Sequence, residues 1–168
     1  MKKLKLLVLL LLLPLTGFSQ FIDVNLNLQP QIIATVERPI RFGTVISGSG
    51  NYTIDLGDEN MGIFSVEGLV GQEILVDVVT PTLLIDQSVD AGSSGIPISL
   101  QIRSGGDLNN PFNSTLINTN TPAVIRIESE DENDPVSKNY FYVTGNINVG
   151  PVPTGTYTGS VVLNVSYL

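Results

Sequence analysis

The 168-residue chain contains no cysteine, no histidine and no tryptophan. Without cysteine there is no disulfide, no thiolate nucleophile and no thiolate metal site, so the fold must be held by burial alone. Without histidine there is no Ser-His or Cys-His nucleophile pair, no His-ligated zinc and no imidazole general base. Without tryptophan a frequent sugar-stacking surface is missing. Two carboxylates would suffice for glycoside hydrolysis, yet no pattern places a pair of acids in a cleft. The chain is therefore read as a non-enzyme, with no catalytic residue, no cofactor site and no metal site assigned.

Basic residues are scarce as well: 8 Lys and Arg against 16 Asp and Glu. Three of the eight, Lys2, Lys3 and Lys5, precede the apolar run Leu6 to Leu13, which Pro14 and Gly17-Phe18-Ser19 close. A basic head, a short apolar middle and a small-x-small end form a secretory signal peptide. As a membrane anchor the run falls short of the ~20 residues that span a bilayer. Cleavage after Ser19 is expected, giving a signal peptide over 1–19 and one domain over 20–168. That domain has room for a proper core. It carries five basic residues and all 16 acids, a net charge of −11. Such a surface repels phosphate backbones and anionic membranes. The expectation is a protein secreted or held at the cell surface after export through the periplasm. It has no nucleic-acid partner and no membrane span in the mature chain.

What the sequence has in abundance is alternation. In Gly155 to Leu168, GTYTGSVVLNVSYL, the positions Tyr157, Val161, Leu163, Val165 and Tyr167 share one face, and Asn164 and Ser166 lie on the other. A period of two is that of a strand with one buried side. So regular a terminal strand is expected to pair inside a sheet, with Leu163 and Val165 buried. Phe21 to Leu28 repeats the pattern, with Ile22, Val24, Leu26 and Leu28 on one face and Asp23, Asn25 and Asn27 on the other. Between them come short apolar pieces punctuated by Gly, Pro and Asn: Ile32 to Val36, Thr44 to Ile46, Tyr52 to Leu56, Ile63 to Val66, Ile74 to Val79, Leu83 to Ile85, Ile96 to Ile102, Ala123 to Ile127, Tyr140 to Val143 and Ile147 to Val149. Asp86 to Gly95, Ser104 to Pro122 and Glu128 to Lys138 read as loops. No helical periodicity recurs after the signal. The pattern predicts an all-β fold, an antiparallel immunoglobulin-like Greek-key β-sandwich.

The order RFG at Arg41 to Gly43, YTIDL at Tyr52 to Leu56, FSVEG at Phe64 to Gly68, IPISLQI at Ile96 to Ile102, YVTGNINVG at Tyr142 to Gly150 and the terminal GTYTGSVVLNVSY resembles a family of small secreted bacterial domains, domain of unknown function four-four-zero-two. The family pattern ends in two glycine-flanked strands; here Thr144 stands where glycine is usual, and Gly155, Tyr157, Gly159, Leu163, Val165 and Tyr167 match the second strand. The resemblance spans about Leu28 to Leu168. Its motifs are glycines and core residues, and they imply a fold rather than a chemistry. It implies kinship with fimbrial and spore-coat-U-type subunits, in which an alternating N-terminal extension fills a groove in the next subunit.

Two functions follow. One is a non-catalytic, pilin-like structural or assembly subunit of the cell surface, whose partners are itself or related subunits joined by strand addition through Ile22, Val24, Leu26 and Leu28. The plainer reading makes that segment the first strand of its own sandwich. The alternative is a secreted module that binds a glycan or a protein through the loops Asp86 to Gly95 and Ser104 to Pro122. The acids Glu128, Glu130, Asp131, Glu132 and Asp134 have oxygen ligands suited to Ca²⁺ but no EF-hand spacing, and a solvated hairpin loop whose charge keeps neighbouring edges apart is the plainer reading. Asp58-Glu59-Asn60-Met61-Gly62 is a shorter fragment of the same kind. Tyr140, Phe141 and Tyr142 put aromatics on both faces of one strand, one face core and the other a candidate contact patch.

Overall fold

The computed structural model describes residues 31–87, 95–119, 121–129 and 133–168. The signal peptide, Ile22, Val24, Leu26 and Leu28, and the acids Glu130 to Glu132 lie outside them. Within them the chain is almost entirely strand, as the period-two alternation dictates, with a lone 3-10 turn at Pro111–Asn113 and no α-helix. No helix of the described residues is long and apolar enough to cross a membrane.

Eleven strands follow one another: β1 Ile33–Arg38, β2 Gly50–Ile54, β3 Gly62–Leu69, β4 Glu73–Val79, β5 Leu83–Asp86, β6 Ile96–Gly105, β7 Thr115–Ile117, β8 Ala123–Arg126, β9 Val136–Val149, β10 Tyr157–Thr158 and β11 Val162–Tyr167. All pairings are antiparallel. The larger sheet runs β1-β3-β9-β6-β5-β10, with β2 also on β9 and β7 also on β6; the smaller runs β11-β4-β8. Sheet neighbours far apart in sequence, such as β3, β9 and β6, are what Greek-key connections produce. The two sheets form a sandwich over one apolar core. Ile74, Val76 and Val78 of β4 meet Val66, Phe141, Val143, Ile102, Ile117 and Ile127 there.

The strand β9 organises the larger sheet. One of its edges pairs with β6 from Tyr140 to Ile147. Its other edge takes β3 over Val136–Val143 and then β2 over Gly145–Val149. The strands β2 and β3 thus run in the same direction along one line, and 55–61 is an excursion from that line rather than a hairpin. The two pieces Tyr140 to Val143 and Ile147 to Val149 expected from the sequence are one strand. Gly145 joins them because a side chain has no room there: an added Cβ would collide with the carbonyl oxygen of Ser99 and stand 2.9 Å from Leu100 Cα. Alternation also continues through Val136 to Lys138, which the sequence placed in a charged loop.

Three further expectations change. Thr44 to Ile46 is not a strand. It is fastened to the chain after β9, where Ser47 Oγ donates to the Val152 carbonyl at 2.7 Å and accepts from Val152 N–H at 3.0 Å. Phe141 and Tyr142 are both fully buried, so the outer face of β9 is no contact patch. Ile54, Met61 and Ile63 pack against Tyr142, with Phe42, Leu56 and Tyr140 around them, and the excursion 55–61 covers that face. The third change concerns β11.

Candidate functional site

Among the described residues the terminal strand is a sheet edge rather than an interior strand. Of the described strands only β4 pairs with β11, in the register Leu163↔Val78, Val165↔Val76 and Tyr167↔Ile74. Directly opposite residues of a sheet share a face, so Leu163, Val165 and Tyr167 point into the core beside Val78, Val76 and Ile74. Those three β4 residues are at most 2% exposed, whereas Leu163, Val165 and Tyr167 are only half-buried. Asn164 and Ser166 face outward and are exposed. Burial falls by one step across one strand, and no further strand of the described residues follows.

The same step recurs in the other sheet. Among the described strands β1 pairs only with β3, with Ala34 opposite Val66 and Val36 opposite Phe64. Val66 is completely buried, yet Ala34 and Val36 on the same face are exposed, Val36 at 59%. Edge strands that turn apolar side chains inward normally have them covered.

The two uncovered edges are neighbours. Tyr167 Oη accepts the backbone N–H of Leu69 at 3.2 Å, which seats the end of β11 over the end of β3. An added Cβ on Gly68 would lie 2.9 Å from that same hydroxyl, so glycine makes the approach possible. At the other end, Val161 ahead of β11 and Ile40 beyond β1 line one cavity, and Ile40 packs over Gly62 at the start of β3. β11 therefore rides above β3. If β4 lay on the β1 side of it, Ala34 and Val36 would be covered; they are not, so the free edge of β11 faces β1. Between these edges lies a slot bordered by the half-buried inner face of β11 and by the exposed Ala34 and Val36 of β1, while Val66 of β3 is covered.

Val161, ahead of β11, lines a cavity of about 600 Å³. Its walls are mainly apolar: Phe42, Leu84, Ile98, Val149 and Tyr157 among others. This volume falls in the range of ligand pockets, roughly 300–1,000 Å³. Tyr157, on β10, belongs to the cluster of Ile96, Ile98, Ile147 and Val149 rather than to the main core. Of the five terminal-strand residues singled out in the sequence, four (Val161, Leu163, Val165 and Tyr167) pack against the main core along the slot.

The remaining polar features serve the fold. Tyr142 Oη donates to the carbonyl of Asp107 across the outer face. Burial, with Asp107 and Tyr140 nearby, pushes its phenol up to about 12. Arg103 Nε donates to Ser114 Oγ at 3.0 Å, fastening the 104–114 loop back to β6. Glu37 accepts from Ser65 Oγ at 2.7 Å and pairs with Lys138 Nζ at 3.5 Å. Ser65 first, and Lys138 with it, hold its carboxyl below the usual carboxylate range. Asp58 Oδ1 accepts from the backbone N–H of Asn60 at 2.7 Å, closing the turn. Among the described residues no three acidic side chains are placed to share a metal ion.

No protein-family model matches the chain, and no curated protein matches it either. The functional reading therefore rests on the residues and the slot. Alternation in the terminal strand marked one wall of that slot. The floor at Ala34 and Val36 carried no signal, because a strand rich in Thr, Glu and Arg does not disclose which sheet edge it occupies.

Proposed function

We propose that the protein is a secreted, non-catalytic cell-surface subunit of pilin-like character, which assembles by strand addition. What carries this reading is the slot: the edge of β11 that no described strand pairs, beside its half-buried inner face and the exposed inner face of β1. An extended segment placed there would gain backbone hydrogen bonds from β11 and bury side chains against Leu163, Val165, Ala34 and Val36. The inward set on the lead-in and strand, Val161 to Tyr167, spans seven residues, and so does Ile22 to Leu28. Four apolar positions therefore meet four, over about 20 Å of strand. The sequence resemblance to fimbrial subunits supports the same role.

The test removes Gln20 to Leu28 and then supplies a free peptide of those residues. A strand-adding subunit keeps its sheet, binds the peptide and loses the concentration-dependent association of the longer chain. If the shortened chain is unfolded and the longer one is monomeric at every concentration, the reading fails.

One observation favours the second reading, a binding module. Leu108, Phe112 and Leu116 are all exposed on the 104–117 segment, Phe112 at 68%. Phe112→Ser would abolish retention on immobilised glycans or proteins under that reading and leave association untouched under the first.

A further inference from the structure

The smaller sheet covers only part of the larger one, and the cavity lies over the part it leaves. Ile96, Ile98, Leu100 and Ile102 of β6 alternate and so share the inner face. Ile102, opposite Val143, lies in the main core with β4. Ile98, opposite Ile147, lies beyond it. With Ile96, Ile147 and Val149 it forms a separate cluster that contains no residue of β4, β8 or β11. There the segments 40–47 and 152–159 stand in for the second sheet, and the cavity of about 600 Å³ lies between them and β6 and β9.

The polar groups of those two segments are largely spent on their own neighbours. Tyr157 Oη donates to the Pro153 carbonyl at 3.0 Å, Ser47 is joined to Val152, and Thr158 Oγ1 accepts from Gln87 Nε2 at 3.1 Å. What remains to meet a ligand is hydrocarbon, a few threonine hydroxyls and one charge, that of Arg41. Other basic side chains are engaged: Arg38 donates to the Met61 carbonyl, Arg103 to Ser114, and Lys138 pairs with Glu37. Arg41 and Arg126 have no side-chain partner among the described residues, and of these two only Arg41 lines the cavity. Arg41 is exposed, which places it at the mouth. Its planar guanidinium matches a carboxylate with two parallel hydrogen bonds. On the other segment the Asp86 carboxyl lies directly against Gly155. An anionic head is therefore drawn to Arg41 and kept from the 152–159 wall.

We propose that this cavity binds one molecule of a long-chain carboxylate, its head on Arg41 and its chain against Ile98, Ile147 and Val149. A chain of net charge −11 from Gln20 onward repels anions in general, so the head needs this local cation, and a singly charged head meets less repulsion than a phosphate. The site does not depend on strand addition and stands or falls apart from it.

Calorimetric titration of the protein with decanoate, dodecanoate, decanol and decyltrimethylammonium, each below its micelle concentration, tests the assignment. Decanoate should saturate at one molecule per chain, and affinity should rise about fourfold for each added methylene as dodecanoate replaces it. Decanol should bind more weakly and decyltrimethylammonium should not saturate. Arg41→Gln should weaken decanoate roughly tenfold, the loss of a charge-assisted pair, and leave decanol unchanged. Arg126→Gln should alter neither. No saturable binding of either carboxylate overturns the site. Decyltrimethylammonium binding as tightly as decanoate, or an Arg41→Gln variant with the parent's affinity, overturns the placing of the head. Equal losses in the two arginine variants trace the attraction to overall charge and overturn the site as well.

Discussion

At the scale of single residues, two positions show how narrowly the packing is set. Gly145 lies where β9 passes closest to β6, with Ser99 and Leu100 against it. Gly145→Ala should destabilise the protein by about 1–3 kcal/mol, the usual range for forcing extra volume into a packed site. Gly150→Ala, with nothing within 4 Å of the new methyl, should stay within about 0.5 kcal/mol. Denaturant midpoints measured side by side compare the two. Tyr142 supplies the second case. Its phenol rises from 10.0 to about 12 on folding because burial disfavours the charged form. A folded value above the unfolded one means the stabilisation is complete below pH 10 and is lost as pH climbs toward 12. Tyr142→Phe cannot ionise, so the difference in stability between it and the parent should shrink or change sign over that window. Denaturation at about pH 8 and about pH 11.5 (bracketing the shift) reads this out, and a constant difference would contradict it.

At the scale of strands, Leu163 distinguishes an open edge from a covered one. In a chain beginning at Gln29, Leu163→Ala removes a half-buried side chain and should cost roughly 1–2 kcal/mol. With a free peptide of residues 20–28 bound to that chain, the cost should move into the 2–5 kcal/mol range of fully buried leucines. Ser166→Ala should remain near zero in both. Equal Leu163 costs in the two backgrounds would show that nothing covers the strand. The strands also show what was legible beforehand. Alternation in Ile96 to Ile102 and in Val161 to Tyr167 assigned their faces, because a half-buried strand stamps period two on its residues. It could not distinguish an edge from a centre, since Leu163 reads the same whether one neighbour covers it or two. It could not tell that β2 and β3 continue one line, because the 55–61 excursion has the composition of any hairpin turn. Nor could it reveal that both faces of β9 are buried, since the cover comes from Met61 and Ile54, remote in sequence from Tyr142. The slot was half legible: its β11 wall was in the pattern, and its β1 floor emerged only from register.

At the scale of the whole molecule, charge and connectivity matter most. A chain of net charge −11 from Gln20 onward resists meeting its own copies. Raising ionic strength from 0.01 M to 0.15 M shortens the screening length from about 30 Å to about 8 Å. Association by strand addition should therefore quicken with salt, as followed by light scattering; slowing with salt would point to pairing between opposite charges instead. Connectivity has a consequence in time. β9 supplies the hydrogen-bonding partner of β2, β3 and β6, yet it begins at Val136. A polypeptide delivered N-terminus first carries those three strands as unjoined edges until nearly the whole chain has emerged, with Ile63, Val66 and Ile102 in water. The larger sheet then closes in one late step dominated by distant contacts, which folds slowly. Throughout that interval the exposed edges can pair with any neighbouring strand, so the yield of folded protein should depend on a holdase that recognises bare strand edges.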